Sequence, residues 1–407
     1  MMRFLSVARF GSALLLASCL LASPVWAKPS SCKNSGSFSR WLEGFKKEAV
    51  ANGVSRATIR SALSGVSFDP RIIKLDRRQS FFSLDFLDFS KRLVSNYRVK
   101  RGPRLIKKHR KIFARIKKQF GVPAPVIVGL WALESDFGAN MGKDKSLRSL
   151  ATLAYDCRRP ELFRPELMAA LKIIDRGDLR ASEMIGSWAG ELGQTQFLPT
   201  HYFNHGVDYD GDGRRNLIKS TPDLLASTGN FLLHLGWKRG EPWLQEVRVP
   251  GKLDWKEADI AIQHPRSKWR SWGVSYANGK ALPNDNLGAS LLLPMGRNGP
   301  AFLAYSNFKI YLEWNHSLVY ATTAAYLGTR IAGAPPVGRG RGSVAKFGYK
   351  EVRQLQSLLT RRGHDVGSVD GKLGVKTRSA VKAEQTKLGL PADSYPTPEL
   401  LNRLRRR

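Results

Sequence analysis

The 407-residue chain is short of acids, short of cysteine, and has no long apolar run beyond its N-terminus. Asp and Glu number 33 against 66 Lys and Arg, a formal net charge of +33. Such a shortage of negative charge argues against a cationic partner and for an anionic one: nucleic acid, acidic lipid or a polyanionic envelope polymer. Three cysteines are too few for a disulfide scaffold. No segment after the first thirty residues approaches the roughly 20 apolar residues of a membrane-spanning helix, so no span is expected in the mature protein. What is present is ordinary for a folded protein, 42% hydrophobic and 24% charged. At roughly 150 residues per domain, the length implies two or three domains.

The N-terminus carries an address. Arg3 and Arg9 precede an apolar stretch over 10–22, followed by Pro24 and Val25-Trp26-Ala27, the order of a secretory leader cleaved after Ala27. Leu16-Ala17-Ser18-Cys19 also fits a lipobox, which would leave a lipid anchor on Cys19. The short apolar core before Cys19 favours the later cleavage. Export leaves Cys32 and Cys157 as the last two thiols in an oxidising compartment, where they pair as a disulfide or remain two separate thiols. It also takes the chain away from DNA, so no nucleic-acid partner is expected.

Helical periodicity dominates. It runs through 38–66, 105–119, 123–135, 146–155, 161–175, 221–235 and 314–331, whereas 240–305 is rich in Trp, Gly, Pro and short β-type runs and reads as a loop-rich lobe. From Lys91 to Phe120 there are 13 Lys and Arg and no acid, with Leu105, Ile106, Ile112, Phe113 and Ile116 at helical spacing. That pattern is an amphipathic helix with a solvated basic face, which could also hold an anionic polymer. At 332–345 the periodicity gives way to Pro, Gly and like charges, as in a linker, and about 60 residues remain for a compact helical module.

Two segments carry chemistry. Val126 to Leu133 is apolar on every side, as in a fully buried helix, and Glu134 follows without a break. Burial disfavours the charged form of a carboxyl, and a carboxyl kept protonated near neutrality is what a general acid requires. Capping of the helix end or pairing with an Arg is the plainer alternative. The second segment, Gly186-Ser187-Trp188-Ala189-Gly190-Glu191-Leu192-Gly193-Gln194-Thr195-Gln196-Phe197-Leu198-Pro199, mixes small residues with the hydroxyl, amide and aromatic groups that recognise sugars.

Together with Leu150 to Arg159, Asn307-Phe308 and Trp314-Asn315-His316-Ser317, these segments resemble the membrane-bound lytic murein transglycosylase B family over residues 38 to 331. The resemblance implies a mainly α, lysozyme-like catalytic domain that cleaves the MurNAc-GlcNAc bond of peptidoglycan and leaves an anhydro-MurNAc end. It implies Glu134 as acid and then base, and Ser187, Gln196, Asn315 and Tyr320 as residues lining the cleft. Asp136 is two residues from Glu134, so on a helix it points elsewhere, and no second carboxylate is expected. Residues 346–407 are similar to a three-helix peptidoglycan-binding domain, with Leu355, Leu358 and Leu359 as a helical face and a turn at Asp370-Gly371. The expected organisation is a leader over 1–27, a catalytic domain over 28–331, a linker over 332–345 and the wall-binding domain, in a periplasmic monomer. A hydrolytic muramidase and a non-catalytic wall-binding protein are the competing readings.

Asp208-Tyr209-Asp210-Gly211-Asp212-Gly213 fits the opening of a calcium loop, but the twelfth position is Lys219 instead of a bidentate acid. The pattern leaves two options open: a structural calcium ion held by Asp208, Asp210 and Asp212, or an Asp/Gly turn without metal. No cofactor is expected for the chemistry itself.

Overall fold

The helix Ala124–Ser135 carries apolar side chains on all faces, and its residues from Val126 to Ala132 are buried. An element of this kind is stable only where other helices surround it. The computed structural model describes residues 36–77 and 84–406, and in it the helices Asn96–Lys108 and Leu318–Ile331 flank the central one. Gly129 faces Gly328 there, and a side-chain carbon on Gly129 would lie 3.3 Å from the Gly328 nitrogen. Two glycines therefore let the backbones cross closely enough to bring Tyr320 toward Glu134. The helices Phe38–Ala51, Arg56–Leu63 and Pro70–Asp76 close the same core from the side of Ser146–Tyr155 and Pro160–Asp175.

The basic stretch is spread over three helices, not one: Lys91 and Arg92 end the helix Phe86–Leu93, and two further helices carry the rest. Asn96–Lys108 and Arg110–Phe120 are separated at His109, and Phe113, Ile116 and Phe120 face inward. Of its thirteen cations, Arg98 alone forms an ion pair among the described residues, with Asp136 at 3.0 Å. The expected solvated basic face is present on both helices.

The stretch read as a loop-rich lobe is organised by a five-stranded antiparallel sheet. Its strand order is His264–Pro265, Gly288–Leu292, Ala301–Tyr305, Leu244–Arg248 and Ser275–Tyr276, with Leu244 opposite Ala304 and Ala289 opposite Tyr305. The short β-type runs pair across long intervening segments, which local periodicity does not reveal. Trp269, Leu291 and Leu303 fill a separate core.

The C-terminal module has helices Tyr349–Arg361, Val375–Lys387 and Pro398–Arg405 around Leu355, Leu359, Val381 and Leu400. Gln356 is buried and ties the Asp370-Gly371 turn, accepting from Gly371 N at 2.8 Å and donating to Asp370 Oδ1 at 3.1 Å. The module docks on the sheet lobe through the buried Arg378, whose guanidinium donates to Pro294 O (3.1 Å) and Leu293 O. The 332–345 stretch lies along the same lobe, with Gly338 N on Glu246 Oε1 (2.8 Å) and Arg341 Nε on Arg297 O (3.0 Å). Among the described residues no helix is long and apolar enough to cross a membrane. Cys157 is disulfide-bonded; the leader, Cys19 and Cys32 lie outside the described residues.

Candidate active site

Glu134 occupies the last turn of the central helix. The helix ends because Asp136 and Phe137 take left-handed conformations (φ 54° and 61°), and Asp136 turns away to accept from Arg98 Nε. Glu134 is enclosed by protein on nearly all sides yet keeps partial solvent access. Two donors from the far end of the sequence meet on one of its oxygens. Trp314 Nε1, from the helix Ser306–Trp314, donates to Oε1 at 2.8 Å, and Tyr320 Oη donates to the same Oε1. Oε2 has no hydrogen-bond partner among the described residues.

Burial pushes the Glu134 carboxyl up to about 7. The donors Tyr320 and Trp314 oppose that rise by stabilising the ion, and the charge of Glu191 adds to it. Because Oε1 accepts twice, the proton of the neutral form resides on Oε2, the oxygen without a protein partner. The group can hand a proton to a bound oxygen and, once ionised, is steadied well enough to take one back.

The segment 186–199 is stapled to the central helix. Trp131 Nε1 donates to Gln194 Oε1 at 2.9 Å, and Ser135 Oγ donates to Gln194 O at 2.5 Å. Its glycines serve this packing more than open space for a ligand: a side-chain carbon on Gly186 would lie 1.9 Å from Glu191 O. Ser187 Oγ donates to Glu191 Oε2 at 2.9 Å. Gln196, itself in a left-handed conformation, spends its amide on Gly193 O (2.8 Å) and Met141 O (3.3 Å). Asn315 Oδ1 accepts from Ser317 N at 3.0 Å and so shapes the turn before the Tyr320 helix.

Of the sequence-derived residues, then, Tyr320 touches Glu134 directly, whereas Ser187, Gln196 and Asn315 do not hydrogen-bond it. Trp314 and Glu191 are site members that sequence reasoning missed. Trp314 stood inside a quoted motif, but nothing local says that its ring packs at 5.6 Å from both Phe197 and Phe231 with its N–H aimed at Glu134. Glu191 is a second, largely enclosed acid near Ser187; burial pushes its own carboxyl up, and its ionised form adds to the rise of Glu134.

Asp208, Asp210 and Asp212 do converge, with carboxylate oxygens within 4.8 Å of one another. The loop already uses them. Asp208 accepts from Gly211 N (2.7 Å) and Gly213 N (2.8 Å), and Asp210 Oδ2 accepts from Ser220 Oγ (2.5 Å). Lys219 turns out to Glu183 at 3.0 Å, and Asp223 is occupied by Tyr209 N and Asn216 N at 2.8 Å each. This donor set lacks the bidentate acid of a calcium loop and does not fit that ion well.

Residues 37–329 match the family model of the transglycosylase SLT domain, and residues 348–404 match that of the putative peptidoglycan binding domain. The membrane-bound lytic murein transglycosylase B of Escherichia coli K12 is 28% identical over 248 residues, which is 61% of this chain and 67% of that protein. The crystal structure of SltB3 from Pseudomonas aeruginosa in complex with NAG-anhNAM-pentapeptide is 41% identical, covers 91% of this chain and 99% of its own, and superimposes with a TM-score of 0.83. Slt35 of Escherichia coli, solved in complex with calcium, is 26% identical over 72% of this chain and 92% of its own, with a TM-score of 0.60.

Proposed function

This chain belongs to the transglycosylase SLT domain family and is a lytic transglycosylase acting on peptidoglycan; from that premise we propose that Glu134 alone serves as its acid and then its base. The observation that carries the proposal is the asymmetry of the carboxyl, with Oε1 pinned by Trp314 and Tyr320 and a proton available on Oε2. Protonated Glu134 gives that proton to the oxygen bridging MurNAc and GlcNAc, and the C1–O bond breaks. The MurNAc acetamide steadies the cationic sugar, as in substrate-assisted glycosidases. Ionised Glu134 then takes the proton from the sugar's own C6 hydroxyl while that oxygen bonds to C1, which closes the anhydro ring. Water takes no part. Ser187, Gln196 and Asn315 line the cleft for the sugars, and Trp314 and Tyr320 hold the carboxyl in place.

The C-terminal module holds the enzyme on the wall, in keeping with its match to a peptidoglycan-binding domain. The expected leader places the protein in the periplasm, where a monomer without nucleic-acid partners meets its substrate. No metal enters the chemistry, and the Asp208–Asp212 loop keeps its shape through its own hydrogen bonds. Digestion of purified sacculi followed by mass analysis tests the reading. Anhydro ends, one water lighter than reducing ends, support it, and products that are all reducing would replace it with a hydrolytic muramidase.

A further inference from the structure

We propose that the outer side of the helices Asn96–Lys108 and Arg110–Phe120 is a docking surface for anionic phospholipid headgroups, by which the enzyme rests on a membrane while its C-terminal module engages the wall. The proposal is independent of the role of Glu134.

The first argument is what this surface displays. From Lys100 to Lys118 every exposed residue is Lys or Arg except Pro103 and Ala114, and none of these cations forms an ion pair among the described residues. Elsewhere the chain does pair its cations: Arg266 holds Asp285, Lys382 lies 2.9 Å from Asp259, and Lys346 lies 2.6 Å from Asp88. Arg239 extends the surface. It donates to the carbonyls of Lys117 and Lys118 at 2.8 and 2.9 Å and brings one more exposed charge to the end of the second helix.

The second argument is that folding does not account for the charge. The second helix is held down by its other side, where Phe113, Ile116 and Phe120 are buried. Lys100 and Arg104, Arg104 and Lys108, and Lys111 and Arg115 are like charges one turn apart, which destabilises a helix. Arg110 and Lys111 open the second helix, whose first turn holds no acid, so they stand at the positive end of its dipole. Charges set against their own helices point to a counter-charge outside the chain.

The third argument selects a lipid surface over a wall strand. Sugars are gripped by aromatic faces and hydrogen-bonding amides, and no exposed aromatic or amide lies between Lys100 and Lys118. A site for single carboxylates fixes its guanidiniums in set directions; here Arg101, on Tyr97, and Arg115, over the Tyr209 ring at 4.2 Å, are the two that rest on a neighbour. A membrane is a sheet of negative charge that requires only many cations presented together, each adding to the attraction. Helices of 13 and 11 residues present them over about 20 and 16 Å.

The test is co-sedimentation of the protein beginning at Lys28, so that no acyl chain on Cys19 contributes, with vesicles of phosphatidylcholine alone, with vesicles of phosphatidylcholine and phosphatidylglycerol, and with purified sacculi. The parent should bind the anionic vesicles only, and lose them as salt rises from about 0.05 to about 0.5 M. R104E/K107E/K108E/K111E should bind anionic vesicles at least about ten-fold more weakly, with sacculus binding and turnover of a soluble glycan within about two-fold of the parent. Should that variant fail to fold, K107Q/K108Q/K111Q carries the same test. An equal change of net charge on exposed lysines of the sheet lobe, K252E/K256E/K268E/K280E, should leave vesicle binding within about two-fold; a loss as large as that of the helix variant would mean that net charge acts and not this surface, and overturns the proposal. Vesicle binding in the helix variant equal to the parent's, or a parent that ignores phosphatidylglycerol, overturns it as well. Weakened binding to sacculi in the helix variant assigns the surface to the wall polymer instead.

Discussion

Trp314 donates its indole N–H to Glu134 at 2.8 Å across 180 residues of chain, and it does so on the same oxygen that Tyr320 uses. Both donors favour the ionised carboxylate, while enclosure favours the acid, and the balance leaves the group near neutrality. A carboxyl poised there is matched to both halves of the reaction, since it must lose a proton in one step and regain it in the next.

Replacing Glu134 with Gln removes the proton carrier while keeping the shape. Anhydro product should fall by about 100-fold or more, with circular dichroism unchanged. Turnover within a few-fold of the parent would end the assignment.

The same group makes stability depend on pH. Its folded value, about 7, lies above the ordinary 4.5, so its contribution is fully present below about 4.5 and is lost as pH rises through 7. The parent then carries an enclosed charge that E134Q lacks. E134Q should be more stable than the parent at pH 8 by on the order of 1–3 kcal/mol, with the two converging near pH 4.5. Denaturant melts at the two pH values measure the difference, and equal stabilities at both would contradict the raised value.

Y320F removes a donor that stabilises the ion. The alkaline limb of kcat/KM should move upward, and the maximal rate should fall by about ten-fold because the ionised intermediate loses a charge-assisted hydrogen bond. A limb that moves downward would mean that Tyr320 acts on something other than Glu134.

The Asp208 loop should be indifferent to calcium. Millimolar calcium is expected to leave the melting temperature unchanged and to give no binding heat, while D208N costs about 1–2 kcal/mol by weakening the bonds to Gly211 N and Gly213 N. A rise of several degrees with calcium would restore the ion.

Docking of the wall-binding module should depend on Arg378. Truncation to Ala leaves the carbonyl of Pro294 unpaired and strips Leu293 O of one of its two donors, the other being Gly296 N, and should cost about 2 kcal/mol of docking. Trypsin should then cut at Arg339 or Arg341 at least about ten-fold faster, because the covering module opens more often. Unchanged cleavage would place the docking energy elsewhere.

Much of this protein was legible in sequence where the signal is local. The apolar run ending in Glu134 marked a buried helix with a carboxyl at its end, and the Leu355, Leu358 and Leu359 face marked the C-terminal helices. The Asp370-Gly371 turn was equally plain. The lobe over 240–305 was not: its strands are short, and Leu244–Arg248 finds its partners in Ala301–Tyr305 and Ser275–Tyr276 only after long intervals. The β-type runs were visible, but no local pattern states which run pairs with which.

By itself the sequence determined the chemical inventory: the acid, its greasy helix, the hydroxyl and amide segment, the surplus of positive charge and the second domain. These follow from residue type and near-neighbour spacing, which survive without a fold. Only the tertiary structure decided that Trp314 and Tyr320 share one oxygen of Glu134, that Gln194 staples the loop, and that burial lifts the carboxyl toward neutrality. An electrostatic effect depends on separation and enclosure, and both exist only after helices distant in the chain have packed together.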